Sequence, residues 1–223
     1  MIETERVAAY IRSLESPGTE FLEELRKQAV ADRVPIIRSE TETFLRTLLC
    51  VKKPVNILEI GTAVGYSALV MNECCGSYGC HITTLENYEK RIPVALANFE
   101  RAGIEMPREI ELIEGDATQT LKRLTGPYDF IFMDAAKAQY IVWLPEVLRL
   151  LAGDGVLVSD NVLQDGDVLE SRFAVTRRNR TIHSRMREYL FTLTHSEKLQ
   201  TSVLPIGDGV AVSVLTRGNK NDV

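Results

Sequence analysis

Missing from this sequence are the patterns that announce most small-molecule and metal sites. It has four cysteines, Cys50, Cys74, Cys75 and Cys80, and none of them forms a C-x-x-C. A zinc ribbon and a dithiol redox centre are therefore excluded, and reduced structural thiols are expected. The three histidines, His81, His183 and His195, share no ligand spacing, which argues against a histidine zinc site; His183, set among arginines, is expected on the surface. No apolar run reaches the ~18 residues of a membrane helix. The first residues, MIETERVAAYIRSLESPGTEF, are too polar for a signal peptide, so a cytoplasmic location is expected. Lys and Arg number 26 against 31 Asp and Glu, a net charge of −5. That balance excludes an overall polyanion-binding coat and leaves room only for a local basic patch.

The stretch NILEIGTAVGYSALVM carries Gly61 and Gly65 between a strand-like run and a helix-like run. Its spacing is neither the G-x-G-x-x-G of a dinucleotide fingerprint nor a P-loop. Apolar residues at three- and four-residue spacing predict helices over 3–15, 20–31 and 39–50. From Asn56 onward short apolar runs, NILEI, HITTLE, IELIE, YDFIFMD and GVLVSDN, alternate with helices near 65–75, 89–102, 117–124 and 138–151. Strands apolar on both faces, separated by helices, describe a parallel sheet covered on both sides. The segment TSVLPIGDGVAVSVL reads as an antiparallel hairpin around Gly207-Asp208-Gly209. The expected fold is α/β: a Rossmann-like, doubly wound, mostly parallel seven-stranded sheet with an antiparallel C-terminal hairpin. A single domain is expected, with a helical cap over 1–52, a core over 53–217 and a frayed tail over 218–223.

In an open parallel sheet, ligands bind beyond the carboxyl ends of the strands. Acids gather there: Glu59, Glu86, Asp116 and Asp134, with Asp160-Asn161 after the fifth strand. Such an edge repels phosphates but suits hydroxyls, amines and a positive sulfur, which points to S-adenosylmethionine. Gly61 and Gly65 would let the backbone approach that ligand. Ser67 and the helix start would take its carboxylate. Glu86, about 25 residues past the glycine turn, would accept the ribose hydroxyls, and Asp116 the adenine amine. Asp134, Asp160 and Asn161 offer three oxygens at neighbouring strand ends, which suits Mg²⁺ with substrate oxygens completing the shell. Lys137, three residues past Asp134, would point to the same place, its pKa lowered by burial and the metal, and take the proton of a coordinated hydroxyl.

At these residues the sequence resembles the metal-dependent O-methyltransferases of the catechol and caffeoyl-CoA type. The resemblance rests on VPII, ILEIGTAVGYSAL, TLE, EGDA, YDFIFMDAAK, GVLVSDNVL and PIGDGVAVS, and covers roughly 30–215. It implies cofactor contacts from Ile37, Ser67, Glu86, Asp116, Ala117 and Asp134. It also implies metal ligation by Asp134, Asp160 and Asn161 and a catalytic Lys137. VPII, DNVLQDG, TRRNRTIHSRMREY and VLPIGDGVAVS are most similar to the bacterial tRNA 5-hydroxyuridine methyltransferases. That likeness implies a homodimer acting on the wobble base of the anticodon loop, with a small catechol or caffeoyl-CoA-like acceptor as the alternative. An acidic QDGDVLES stands where a basic residue would be expected for such a group. A catechol and 5-hydroxyuridine share a vicinal pair of oxygens, so one cation could chelate either.

Six arginines, Arg172, Arg177, Arg178, Arg180, Arg185 and Arg187, lie in a stretch without Asp or Glu. Guanidinium forks bind phosphate bidentately, so Arg177, Arg178, Arg180 and Arg185 are candidate RNA contacts. The alternatives are a solvated helix face, a partner subunit, or the phosphates of coenzyme A. Tyr140, Trp143, Tyr189 and Phe191 read mainly as core, with the acceptor pocket as the alternative use.

Overall fold

The structure, a computed structural model, describes residues 4–15 and 17–216. The expected frayed tail over 218–223 lies outside the described residues. Three helices come first: α1 (Thr4–Ser13), α2 (Glu20–Ala31) and α3 (Ser39–Lys52). Strands and helices then alternate as β1 (Asn56–Ile60), α4 (Tyr66–Cys75), β2 (His81–Glu86), α5 (Ile92–Arg101), β3 (Ile110–Glu114), α6 (Ala117–Arg123), β4 (Tyr128–Met133), α7 (Tyr140–Leu150) and β5 (Leu151–Ser159). The chain ends with α8 (Arg180–His195) and the hairpin β6 (Leu199–Leu204) and β7 (Val210–Leu215).

The seven strands lie in the order β3-β2-β1-β4-β5-β7-β6. Pairings within β1–β5 are parallel, and β7 is antiparallel to both β5 and β6. Alternation along the central strands shows why both faces are covered. Phe130 and Phe132 of β4 join the core beneath α2, α3 and α4, whereas Ile131 and Met133 join the core beneath α6, α7 and α8. A strand of period 2 buried on both faces must be apolar throughout, as β4 is. Helix α4 lies between the sheet and α3, and seven of its ten residues are buried.

One acid ties α2, α3 and α4 together. Glu42 of α3 pairs with Arg26 of α2, accepts from Arg46 Nε at 2.9 Å, and accepts from the Tyr66 hydroxyl of α4 at 2.6 Å. Burial raises the energy of the carboxylate, but the hydrogen bonds from Tyr66 and Arg46 and the charge of Arg26 outweigh it and keep the Glu42 pKa below the usual glutamate value. A buried charge with every lone pair engaged is tolerated where a bare one is not.

Strand order reverses between β1 and β4, which leaves the ends of these two strands without a crossover above them. Ligand crevices of open α/β sheets form at such a point.

Candidate active site

A cleft of about 500 Å³ opens at this reversal. Of the sequence candidates, Gly61, Glu86, Asp116, Ala117, Asp134, Lys137 and Asn161 line it. Pro35 and Ile36 close one side, while Ile37 itself turns into the core at 2% exposure. The Ile37 side chain, expected at the cofactor, is thus not part of the cleft lining.

Glu86, at the end of β2, accepts from Ala63 N at 2.8 Å through one oxygen and from Asn87 N and Tyr88 N at 2.9 Å through the other. Backbone donors thus hold the carboxylate rigidly at the cleft wall. Asp116 caps α6, accepting from Thr118 N at 2.7 Å, and stays exposed at the rim. Sequence reasoning missed Tyr88 and Arg91, which also line the cleft, the guanidinium 5.4 Å from the Tyr88 ring centre. Their signal was their place in ENYEKR, the connection that follows the second strand end. Trp143 reaches the cleft as well, its indole N–H donating to Thr118 Oγ1 at 3.1 Å.

Internal packing bears on the two glycines of the turn. A Cβ on Gly61 would stand 2.2 Å from the Asp134 carbonyl oxygen, and one on Gly65 2.5 Å from the Phe99 ring. Both have positive φ, +106° and +84°. The protein's own packing by itself requires glycine at both positions. Glu59 and Ser67 lie one layer below the cleft. The Ser67 hydroxyl donates to Glu59 Oε1 and that of Thr84 to Oε2, each at 2.5 Å, and Thr84 in turn bonds Thr62 at 2.6 Å. Ser67 therefore meets Glu59 first, and the pair braces the glycine turn from beneath.

Burial pushes the Glu59 carboxyl up to about 7 from the usual 4.5, despite those two hydroxyls. The neutral form is favoured in the fold, so its stability contribution is complete below about pH 4.5 and is lost as the pH rises through 7. The span corresponds to about 3 kcal/mol. Glu59→Gln cannot titrate. Melting curves of the cofactor-free protein should show the wild type losing ground to this variant between pH 4.5 and 7.5; parallel curves would contradict the assignment.

The acids of β4 and β5 meet across the strand pair. Asp160 is fully buried and Asp134 partly buried. One Asp160 oxygen accepts from Asn161 N at 2.8 Å, and the other is buried without a hydrogen-bond partner. Burial, and then the Asp134 carboxylate, push the Asp160 carboxyl up to about 7. Asn161 has a φ of +55°, a conformation that asparagine tolerates better than most residues. Among the described residues no group of three or more His, Cys, Asp or Glu side chains is placed to hold a metal ion. The set here is two carboxylates and an amide. An orphaned buried oxygen beside a second carboxylate is an electrostatic liability that a hard cation would remove, so these residues fit Mg²⁺ by donor chemistry.

Lys137 Nζ lies 2.6 Å from Asp134 Oδ1 and donates to the Tyr140 hydroxyl at 3.2 Å. Burial disfavours its charge, but Tyr140 and Asp134 outweigh that and hold its pKa above the ordinary lysine value. The expectation of a lowered value is not what these neighbours give.

Arg177 and Arg178 are exposed, as the RNA reading requires. Arg180 and Arg185 are half-buried and donate to the backbone carbonyls of Val175 and Ala138 at 3.4 and 3.0 Å. They anchor α8, the latter against the turn that carries Lys137. His183 is 3% exposed, its Nε2 3.0 Å from the Glu170 carbonyl, which corrects its expected surface position. Tyr140 and Tyr189 are core residues, and Phe191 is exposed, stacked on His195 at 3.9 Å. The four cysteines are free thiols, as expected. No helix among the described residues is long and apolar enough to cross a membrane.

Comparison with known proteins agrees with this geometry. Residues 12–216 match the O-methyltransferase family model. Caffeoyl-CoA O-methyltransferase 2 of Populus trichocarpa is 30% identical over 205 residues, 86% of this chain and 81% of that protein. Catechol O-methyltransferase of Niastella koreensis is 37% identical over 131 residues, 57% of this chain and 58% of that one, so the match spans less than two thirds of its length. The SAH-bound methyltransferase PaMTH1 of Podospora anserina superposes with a TM-score of 0.86 at 27% identity, covering 96% of this chain and 95% of the other. The chain belongs to the S-adenosylmethionine-dependent O-methyltransferases.

Proposed function

We propose that this protein transfers the methyl group of S-adenosylmethionine to one oxygen of a vicinal pair on a small catechol-type acceptor, with a divalent cation held by Asp134, Asp160 and Asn161. The observation that carries the reading is the Asp160 carboxylate, fully buried with one oxygen unpartnered, close behind Asp134, Lys137 and Asn161, which line the cleft. Relatives named for catechol and caffeoyl-CoA support the acceptor class.

S-adenosylmethionine supplies an electrophilic methyl on a sulfonium. Glu86, fixed by three backbone N–H groups, accepts the ribose hydroxyls, and Asp116 and Ala117 border the adenine end. The N–H groups of the α4 N-terminus receive the methionine carboxylate, and the Ser67–Glu59 pair braces that turn from beneath. A divalent cation, held by Asp134, Asp160 and Asn161, would lower the pKa of an acceptor hydroxyl. Asp134 and Asp160 orient the vicinal oxygen pair. Lys137 is held as an ammonium by Asp134 and Tyr140, so it must give up a proton before it can take that of the acceptor hydroxyl; a cation on Asp134 would compete for that carboxylate and favour the loss. Ile36 and Trp143 give the cleft part of its apolar wall.

Lys137→Ala should lower kcat by about 10²–10⁴-fold, the usual value of a positioned proton acceptor, and leave the SAM dissociation constant near its wild-type value. A kcat close to wild type would remove Lys137 from the chemistry. The acceptor class is tested by offering a catechol, the matching monophenol and tRNA lacking the wobble modification under one set of conditions. Transfer to the catechol alone is expected.

The second reading keeps the chemistry and replaces the acceptor by 5-hydroxyuridine in the tRNA anticodon loop. It is favoured by exposed Arg177 and Arg178, which make no hydrogen bond or ion pair among the described residues. Transfer to tRNA that is lost on replacing both by Ala, with catechol transfer intact, would establish it instead.

A further inference from the structure

We infer that Tyr140 is the positioning residue of this site: one buried phenol hydroxyl orients Asp134, Asp160 and Lys137 together. The inference rests on the function proposed above. The Tyr140 side chain is fully buried at the start of α7. Its hydroxyl donates to the Met133 carbonyl at 2.9 Å and lies 3.3 Å from the Asp160 carbonyl. It accepts from Ala135 N and from Lys137 Nζ, both at 3.2 Å.

Those four contacts have a common geometry. Met133 and Ala135 flank Asp134, so the hydroxyl grips the backbone on both sides of that carboxylate. The Asp160 carbonyl belongs to the neighbouring strand end, so the same oxygen gathers β4 and β5 where their acids face each other. Lys137 closes the set, its ammonium 5.4 Å from the Tyr140 ring centre. A carboxylate on a strand end has backbone freedom that its own side chain cannot remove. Groups behind the ligating residues set their direction, and removing such a partner typically lowers metal affinity or activity by about 10–100-fold.

The ring itself is held independently of the hydroxyl. It packs edge-on against Tyr189 with centroids 5.5 Å apart. Tyr140→Phe should therefore keep the packing and lose only the oxygen. Tyr189 supplies a matched control. It is equally buried and its hydroxyl bonds the side chains of Ser159 at 2.7 Å and Met133 at 3.9 Å, so Tyr189→Phe also deletes a buried phenol oxygen beside the same strand ends, but one that touches neither Asp134, Asp160 nor Lys137.

The test compares the two variants with wild type by calorimetric titration of SAM, by titration of Mn²⁺, and by kcat on a catechol acceptor. For Tyr140→Phe the expected result is a kcat and a Mn²⁺ affinity each lower by about 10–100-fold, with SAM affinity retained. Tyr189→Phe should match wild type in all three. The inference is overturned if Tyr140→Phe keeps its Mn²⁺ affinity, if both variants lose it alike, or if Tyr140→Phe loses SAM affinity as well, since the hydroxyl would then serve the fold at large. The Mn²⁺ comparison needs no acceptor. Wild-type protein that binds Mn²⁺ and SAM yet methylates no catechol would defeat the proposed acceptor and leave this comparison standing. Wild-type protein that binds no Mn²⁺ would defeat both.

Discussion

Replacing Asp160 by Ala is expected to reduce methyl transfer by about 10³-fold or more while leaving SAM affinity nearly unchanged. The two effects separate because the residue lies behind one side of the cleft, next to Asn161 of its lining. SAM is proposed to lie against the ends of β1, β2 and β3, whereas Asp160 follows β5 and faces Asp134 across the β4–β5 pair. Stability should move in the opposite direction to activity. The Asp160 carboxyl is fully buried, has an unpartnered oxygen and lies near a second carboxylate. An unpaired charge in that position opposes folding, so its removal should leave the melting temperature of the metal-free protein unchanged or raised. Structural damage would lower both quantities together. The paired readout thus distinguishes a group retained for chemistry from one retained for the fold. A variant with near-normal turnover would contradict the role given to Asp160.

Gly61→Ala should be the most damaging small substitution in the glycine turn. The added Cβ would stand 2.2 Å from the Asp134 carbonyl oxygen and 2.9 Å from its carbonyl carbon, both backbone atoms. A φ of +106° adds backbone strain that alanine cannot relieve in place. Relief requires β1 and β4 to separate at their carboxyl ends, where Asp134 N also donates to the Ile60 carbonyl at 3.0 Å. The expected cost is about 3 kcal/mol or more, a fall of roughly 6–12 °C in Tm for a chain of this size. Because the obstruction falls on Asp134 itself, divalent-cation affinity should fall with it. Gly79→Ala is the comparison: its φ is +82°, but a Cβ there meets nothing within 4 Å. Only the left-handed backbone term remains, about 1 kcal/mol. Equal destabilisation by the two substitutions would mean that φ, and not the contact with Asp134, decides.

The central strands were legible because a strand buried on both faces is apolar without interruption, and the acids that end β2 and β4 interrupt those runs abruptly. Glu86 and Asp134 could be placed at the cleft from that pattern alone. The start of β5 was not legible. Leu150 ends α7 and Leu151 begins the strand, so one apolar run crosses the boundary with no breaker, while Gly153 and Gly155 fall inside the strand and suggest a turn. The site shows the same division. Residue type and order pointed to Asp134, Lys137, Asp160 and Asn161, because those side chains act at their own positions. What supports them depends on contacts across the sheet. Tyr140 reads as a core aromatic until its hydroxyl is seen among two strand ends and an ammonium, and the packing of Asp134 and Phe99 against Gly61 and Gly65 has no signal in the sequence. The arginine run was visible, but not that Arg180 and Arg185 would be drawn onto carbonyls while Arg177 and Arg178 remained exposed.

The central claim is that a cation gripped by Asp134, Asp160 and Asn161 makes a vicinal hydroxyl the nucleophile. Methyl transfer from labelled S-adenosylmethionine to a catechol, measured in excess chelator and again after Mg²⁺ is returned, addresses it most directly. Transfer should vanish with the chelator, return with Mg²⁺, and be absent for the monophenol in both states. Transfer that persists in chelator at an undiminished rate would contradict it.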